Sequence, residues 1–198
     1  DYRADIKAQG LNFPNILPPD DLTYQMDSAT SSLFYETLKQ LTDGKSDKNP
    51  IGEGLDYARY RAVEFLKPEY RGKYKHAVHI GQTLAGIYRV HMVKRLESSF
   101  YAFKRSLATL LRITDDMIKM FAENKVIIAP ELNVKELQAN NMELDQIIEY
   151  AIEKGYLVED IVYPADAFDD KFLDMLKRDR VILEQLNKDW QKVEDDPK

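Results

Sequence analysis

The apolar positions of residues 84–112 organise the rest of the chain. Leu84, Tyr88, Met92, Leu96, Phe100, Phe103, Leu107 and Leu110 recur at steps of three and four, a spacing that keeps side chains on one face of an α-helix. No Pro interrupts this stretch and its only Gly is Gly86. The pattern predicts one long amphipathic helix that begins between His76 and Leu84. Nothing in TDDMIKMFAEN forces a stop before about Glu123. The register predicts that Leu84–Leu111 is the longest helix of the fold and packs its Met92, Leu96, Phe103 and Leu107 face on the last helix. At about 100° per residue, Lys94, Arg105 and Arg112 gather behind the apolar stripe as a basic ridge.

The same reading orders the remaining elements. Residues 1–27 hold Pro14, Pro18 and Pro19, which block regular helix, so this part is an extended lead-in. Ser28 or Thr30 can cap a helix carrying Leu33, Phe34, Leu38 and Leu41 and ending near Gly44. After the polar loop DGKSDKNP comes a second helix over roughly Gly54 to Leu66, with Leu55, Ala58, Ala62, Phe65 and Leu66 on one side and Pro68 as its stop. EYRGKYK, residues 69–75, is a basic-aromatic connector; its Tyr70 and Tyr74 can stack on bases or pack on a neighbouring helix. KVIIAP, residues 125–130, is a strand or a buried turn; its obvious pairing partner is VEDIVY, residues 158–163, and any sheet is a two-stranded decoration. Two short acidic helices, Asn133–Gln138 and Met142–Lys154, lie between them. A last amphipathic helix capped at Asp169 or Asp170 carries Phe172, Leu173, Leu176, Ile182, Leu183, Leu186 and Trp190. The fold class is therefore mainly α: an elongated helical bundle around one long central helix, with at most a small two-stranded β decoration. Its parts are the lead-in 1–27, a helical core with a basic face 28–124, an acidic short-helix and loop segment 125–168, and a C-terminal helix 169–198.

Charge divides the chain more sharply than its overall −6 suggests. Residues 1–58 sum to −5, residues 59–112 to +9 and residues 113–198 to −10. A block at +9 between acidic flanks suits a phosphate-bearing partner, or docking on the chain's own acidic segments; both readings stay open. The basic candidates for nucleic-acid contact are Arg59, Arg61, Arg71, Lys73, Lys94, Lys104, Arg105 and Arg112. Arg89 falls on the apolar side of the long helix, where a guanidinium needs an ion-pair partner from the second or last helix, or a contact with another domain. Arg95 and Glu97 are either surface charges or marks of a joint between moving parts. The absence of Cys excludes disulfides and thiolate metal sites and fits a reducing cytoplasm. No apolar run approaches the roughly 20 residues of a membrane span. The chain opens at Asp1 without Met and ends in EDDPK, and it reads as a piece of something longer.

Catalytic machinery is not recognisable. GQTLAGIY, residues 81–88, has two Gly at the phosphate-loop spacing, but Ile87 and Tyr88 stand where Lys and Ser or Thr are required; it reads as a helix start. His76, His79 and His91 have no completing cluster of ligands. Asp115–Asp116 and Asp169–Asp170 lack an acid–base partner by sequence. No catalytic residue and no metal ligand is assigned.

MVKRLESSFYAFKRSLATLL, residues 92–111, resembles the LKRLESS-x-x-AF-x-x-SL helix of bacterial Swi/Snf-like superfamily-two helicases, which lies between their two ATPase lobes. Lys94, Arg95, Leu96, Glu97, Ser98, Ser99, Ala102, Phe103, Ser106 and Leu107 match that pattern. ARYRAVEFLKPEY, residues 58–70, is similar to the ARY…YLKPEY segment upstream of it. FPNILPP resembles the exit from the first lobe, and FDDKFLDMLKRDRVILEQLNKDW the helix leading into the second. The resemblance implies a non-catalytic helical insertion of an ATP-driven DNA helicase or translocase, braced between the ATPase lobes of its own parent chain and offering a basic surface to double-stranded DNA. ATP and Mg would belong to the parent, with no cofactor in this chain. Residues 1–27 would lead in from one lobe and residues 169–198 toward the other, with Arg89, Arg95 and Glu97 as interdomain candidates. Two rivals are a protein–protein interaction module without DNA contact and an independent carboxylate–metal enzyme.

Overall fold

In a computed structural model, residues 8–9, 25–44, 52–74, 77–128, 161–194 and 196 are described. Most of the lead-in, residues 45–50 of the polar loop, and the segment 129–160 for which two acidic helices are expected lie outside the described residues. What is described is mainly helical, with one two-stranded antiparallel sheet.

Helix α1 spans Ser28–Thr42, and its cap is Asp27 rather than Ser28 or Thr30. The Asp27 carboxylate accepts from the N–H groups of Ala29 and Thr30 and from the Thr30 hydroxyl at 2.6 Å, satisfying donors that a helix start leaves open. These bonds, the Thr30 hydroxyl's first, hold its carboxyl below the usual range. After α1 the chain doubles back on itself. Gly54 N–H donates to the Asp43 carbonyl and Leu55 N–H to the Gln40 carbonyl. A Cβ at Gly54 would lie 2.5 Å from the Gln40 oxygen, so only glycine permits this approach.

The second helix expected over Gly54–Leu66 is shorter and tighter: a 3₁₀ helix over Ala58–Phe65, entered through Tyr57 at φ 53°. Leu55, Ala58, Ala62 and Leu66 are buried as expected, while Phe65 is half-buried. Leu66 then ends the turn in extended geometry and bridges Phe168. The basic-aromatic connector is itself a second 3₁₀ helix, Pro68–Tyr74.

The single long helix is two. Helix α2 spans Ala77–Ser98 and α3 spans Phe100–Ala122. Ser99 between them is extended, at φ −161° and ψ 128°, and its side chain accepts from the Ala102 N–H. Two consecutive serines are poor at holding a helix interior, because their hydroxyls compete for backbone groups, and Ser99 resolves that competition as an N-cap. The apolar stripe survives the break. Met92, Leu96, Phe100, Phe103, Leu107 and Leu110 are buried, whereas Leu84 is 40 % exposed. Helix α3 ends where Asn124 takes the left-handed conformation at φ 56°, and the Asn124 side chain accepts from the Ala165 N–H.

Val126–Ile127 (β1) pairs antiparallel with Val162–Tyr163 (β2), the pairing the sequence proposes. Helix α4 follows at Asp170–Trp190, capped by Asp169, which accepts from the Lys171 N–H. Helices α3 and α4 run antiparallel. At one end Met117, Met120 and Phe121 meet Phe172 and Leu176 beside the sheet; at the other, Phe100 and Phe103 meet Trp190. The Phe100 and Phe103 rings lie 4.8 and 5.2 Å from the indole in edge contact, and its Nε1–H donates to the Thr37 hydroxyl at 2.8 Å. That bond ties α1 to α4 across the fully buried indole.

One buried polar cluster fixes the first 3₁₀ helix on α4. Asp179 accepts from the N–H groups of Asp56 and Ala58 at 2.7 and 2.8 Å. The neighbouring Arg178 pairs with Asp56 at 2.6 Å and donates to the Gly52 carbonyl. Among the described residues, no helix is long and apolar enough to cross a membrane.

Candidate nucleic-acid interface

The eight basic candidates separate into two groups once their side chains are placed. Arg59 donates to the Ile113 carbonyl at 2.5 Å, and burial pulls its guanidinium below the ordinary range. Arg61 forms a bidentate pair with Glu64, with Nη2 to Oε2 at 2.8 Å, and its head lies 5.7 Å from the centre of the Phe65 ring. Arg71 donates to the carbonyls of Leu66 and Glu64, and Lys104 to the Val193 carbonyl at 2.7 Å. These four hold the 3₁₀ segments and the end of the chain to the body of the fold. A phosphate could recruit them only by displacing those internal partners. Lys73 belongs to the second 3₁₀ helix.

Lys94, Arg105 and Arg112 are exposed, as the register requires. They do not share one helix face, because Lys94 lies on α2 and the two arginines on α3. Arg112 stands 3.5 Å from Asp116, and Arg105 lies over the Tyr101 ring at 5.9 Å. Of the interdomain candidates, Arg95 and Glu97 are exposed in the last turn of α2. Arg89 is half-buried. The expected ion pair with an acid of the second or last helix is not formed among the described residues; its guanidinium lies 5.8 Å from the Tyr57 ring centre instead. Its Nε is buried without a hydrogen-bond partner. A cation over an aromatic face recovers part of the lost hydration, which the sequence offered no means of pairing with Tyr57.

The break at Ser99 creates what a straight helix would have lacked, a groove between α2 and α3. Its volume is about 430 Å³. Tyr60, Tyr88, Met92, Leu110 and Ile113 line it together with His91 and Arg95 from α2 and Tyr101, Arg105, Ser106 and Thr109 from α3. Tyr60 and Tyr88 are stacked, with ring centres 3.8 Å apart. The Tyr60 hydroxyl is buried with no partner in hydrogen-bonding geometry; burial, then the nearby Tyr88 phenol, pushes its pKa up. No acidic side chain lines the groove. Sequence reading missed this site because it rests on the angle between two helices that the apolar period joins into one. The only signal was the Ser98–Ser99 pair.

The other paired carboxylates are structural. Asp115 pairs with Arg180 at 2.7 Å, binding α3 to α4. Asp116 faces Arg112, with its carboxyl raised by burial. Among the described residues, no group of three His, Asp or Glu side chains could hold a metal ion.

Compared with known proteins, the chain matches no family model, no curated sequence and no solved structure.

Proposed function

We propose that the chain is a non-catalytic helical domain of an ATP-driven DNA helicase or translocase, one that braces the motor lobes and offers cationic side chains to the duplex backbone. The resemblance over residues 92–111 supplies the reading. The observation that carries it furthest is that Lys94 and Arg95, two matched positions of that motif, are exposed, as are Arg105 and Arg112 on the helix that follows. Such side chains neutralise phosphates and position a duplex without reading its bases. The joint also suits a strut. Ser99, which caps α3, donates to Asp196 at 2.9 Å, so the segment following α4 is tied directly to the α2–α3 break. In a motor, displacement of whatever follows α4 would be felt at that joint.

The test is titration of a labelled blunt duplex against the chain at two salt concentrations. Binding should be sequence-indifferent, with a log–log salt slope of about −0.9 per phosphate neutralised. Lys94→Glu with Arg112→Glu should weaken binding to all sequences alike and flatten that slope. No binding by the unaltered chain at low salt removes the direct-contact reading.

The alternative, an interaction module without DNA contact, is favoured by one observation. Leu84, Ile87 and Val90 are 40, 57 and 54 % exposed along α2, and steps of three place them on neighbouring turns. On that reading the same double reversal leaves a negligible DNA affinity unchanged.

A further inference from the structure

On the reading above, the exposed cations Lys94 and Arg112, a ridge broken at Ser99, meet the duplex; the groove between α2 and α3 has a different chemistry. Its rim is cationic, with Arg95 on one helix and Arg105 on the other. Among the described residues neither guanidinium forms an ion pair, and Arg105 lies over the Tyr101 ring. The groove's lining is also aromatic: the stacked Tyr60 and Tyr88 rings, and Tyr101, which is 65 % exposed. A simple phosphate pocket needs no such rings, and a simple apolar pocket would not be rimmed by two arginines.

Two guanidiniums and three tyrosines lining one groove match a ligand that carries an anion and a flat ring within one nucleotide's reach. The volume of about 430 Å³ falls within the range of small-ligand sites and is too small for a duplex, whose bases are in any case stacked on one another.

We propose that this groove takes an unpaired nucleotide of a single strand, its phosphate held between Arg95 and Arg105 and its base against the tyrosine rings. The proposal rests on the nucleic-acid reading above but assigns the groove a strand form that the ridge does not select. Aromatic stacking tolerates every base, so the site selects unpaired strand over duplex rather than one sequence over another. At a fork or a melted segment, such a groove would hold the strand that the duplex has released.

Binding of a labelled thymidine oligonucleotide, a blunt duplex of equal length and thymidine monophosphate is compared for the full chain, Tyr101→Ala, Tyr101→Phe and Arg95→Glu. Tyr101 and Arg95 are exposed, so these variants leave the core intact, and circular dichroism verifies it. The oligonucleotide should bind more tightly than the duplex. Tyr101→Ala should weaken it about tenfold, Tyr101→Phe should restore it, and Arg95→Glu should weaken it with a shallower salt slope. The duplex should be indifferent to Tyr101→Ala. Equal affinity for strand and duplex with no effect of Tyr101→Ala would overturn the groove and leave the ridge standing. Thymidine monophosphate bound as tightly as the oligonucleotide would overturn the strand in favour of a free nucleotide. No binding of any probe at low salt would remove both readings together.

Discussion

Asp179 offers the sharpest test of how the fold is held. Its carboxylate is 3 % exposed and accepts two backbone N–H bonds, from Asp56 and Ala58. Those bonds favour the charged form, but burial outweighs them and pushes the carboxyl from 3.8 up to about 7. A carboxyl whose folded pKa lies above its unfolded value binds its proton more tightly when folded. Its contribution is therefore full below about pH 3.8 and is lost as pH rises to about 7. At about 1.4 kcal/mol per unit, the ceiling of that loss is about 4 kcal/mol. Asp179→Asn keeps the shape and one acceptor but cannot ionise. In urea denaturation from pH 4 to pH 8, the stability of the unaltered chain relative to this variant should fall steadily up to about pH 7 and then level. Asp179→Ala separates charge from hydrogen bonding, since it orphans both N–H groups at about 1–3 kcal/mol each. It should be destabilised relative to the Asn variant at every pH. Parallel pH profiles for the unaltered chain and Asp179→Asn would refute the reasoning, because the carboxyl would then titrate alike in both states.

Other outcomes follow from single contacts. Leu96→Ala should cost about 2–5 kcal/mol in denaturant unfolding, since the side chain is fully buried between α2 and the rest of the core; a loss below about 1 kcal/mol would show that the site collapses or is solvated. Ser99→Ala removes the cap of α3 and the bond to Asp196, and should cost about 1 kcal/mol. An unchanged midpoint would mean that packing alone sets the break. The chain should not hydrolyse ATP with or without DNA, because its sequence carries no phosphate-loop motif to hold triphosphate and magnesium; turnover that persists through purification and tracks the protein would overturn the domain reading.

Much of the secondary structure was legible in the order of residues because burial imposes a period. The stripe from Met92 to Leu110, the α4 face from Phe172 to Trp190 and the cap at Asp169 depend on local spacing or on a neighbour within a turn, while the β1–β2 pairing, across more than thirty residues, was legible only as two β-branched runs. What local spacing does not carry is the angle between elements. An apolar period of three and four runs through Ser98 and Ser99 undisturbed, so it reads as one helix, yet a single extended residue turns it into two and opens the groove. The charged residues show the same division. A helical phase correctly puts Lys94, Arg105 and Arg112 outside, because exposure follows from which face is apolar. Whether Arg59, Arg61 or Arg71 is available to a ligand depends instead on which carbonyl or carboxylate the folded chain brings within 3 Å of it. Those partners range from three residues away in sequence to more than fifty. Asp179 and Asp56, 123 positions apart, are the extreme case. Only the close packing of α4 on the first 3₁₀ helix turns an ordinary helical aspartate into a buried acceptor whose charge the fold must bear.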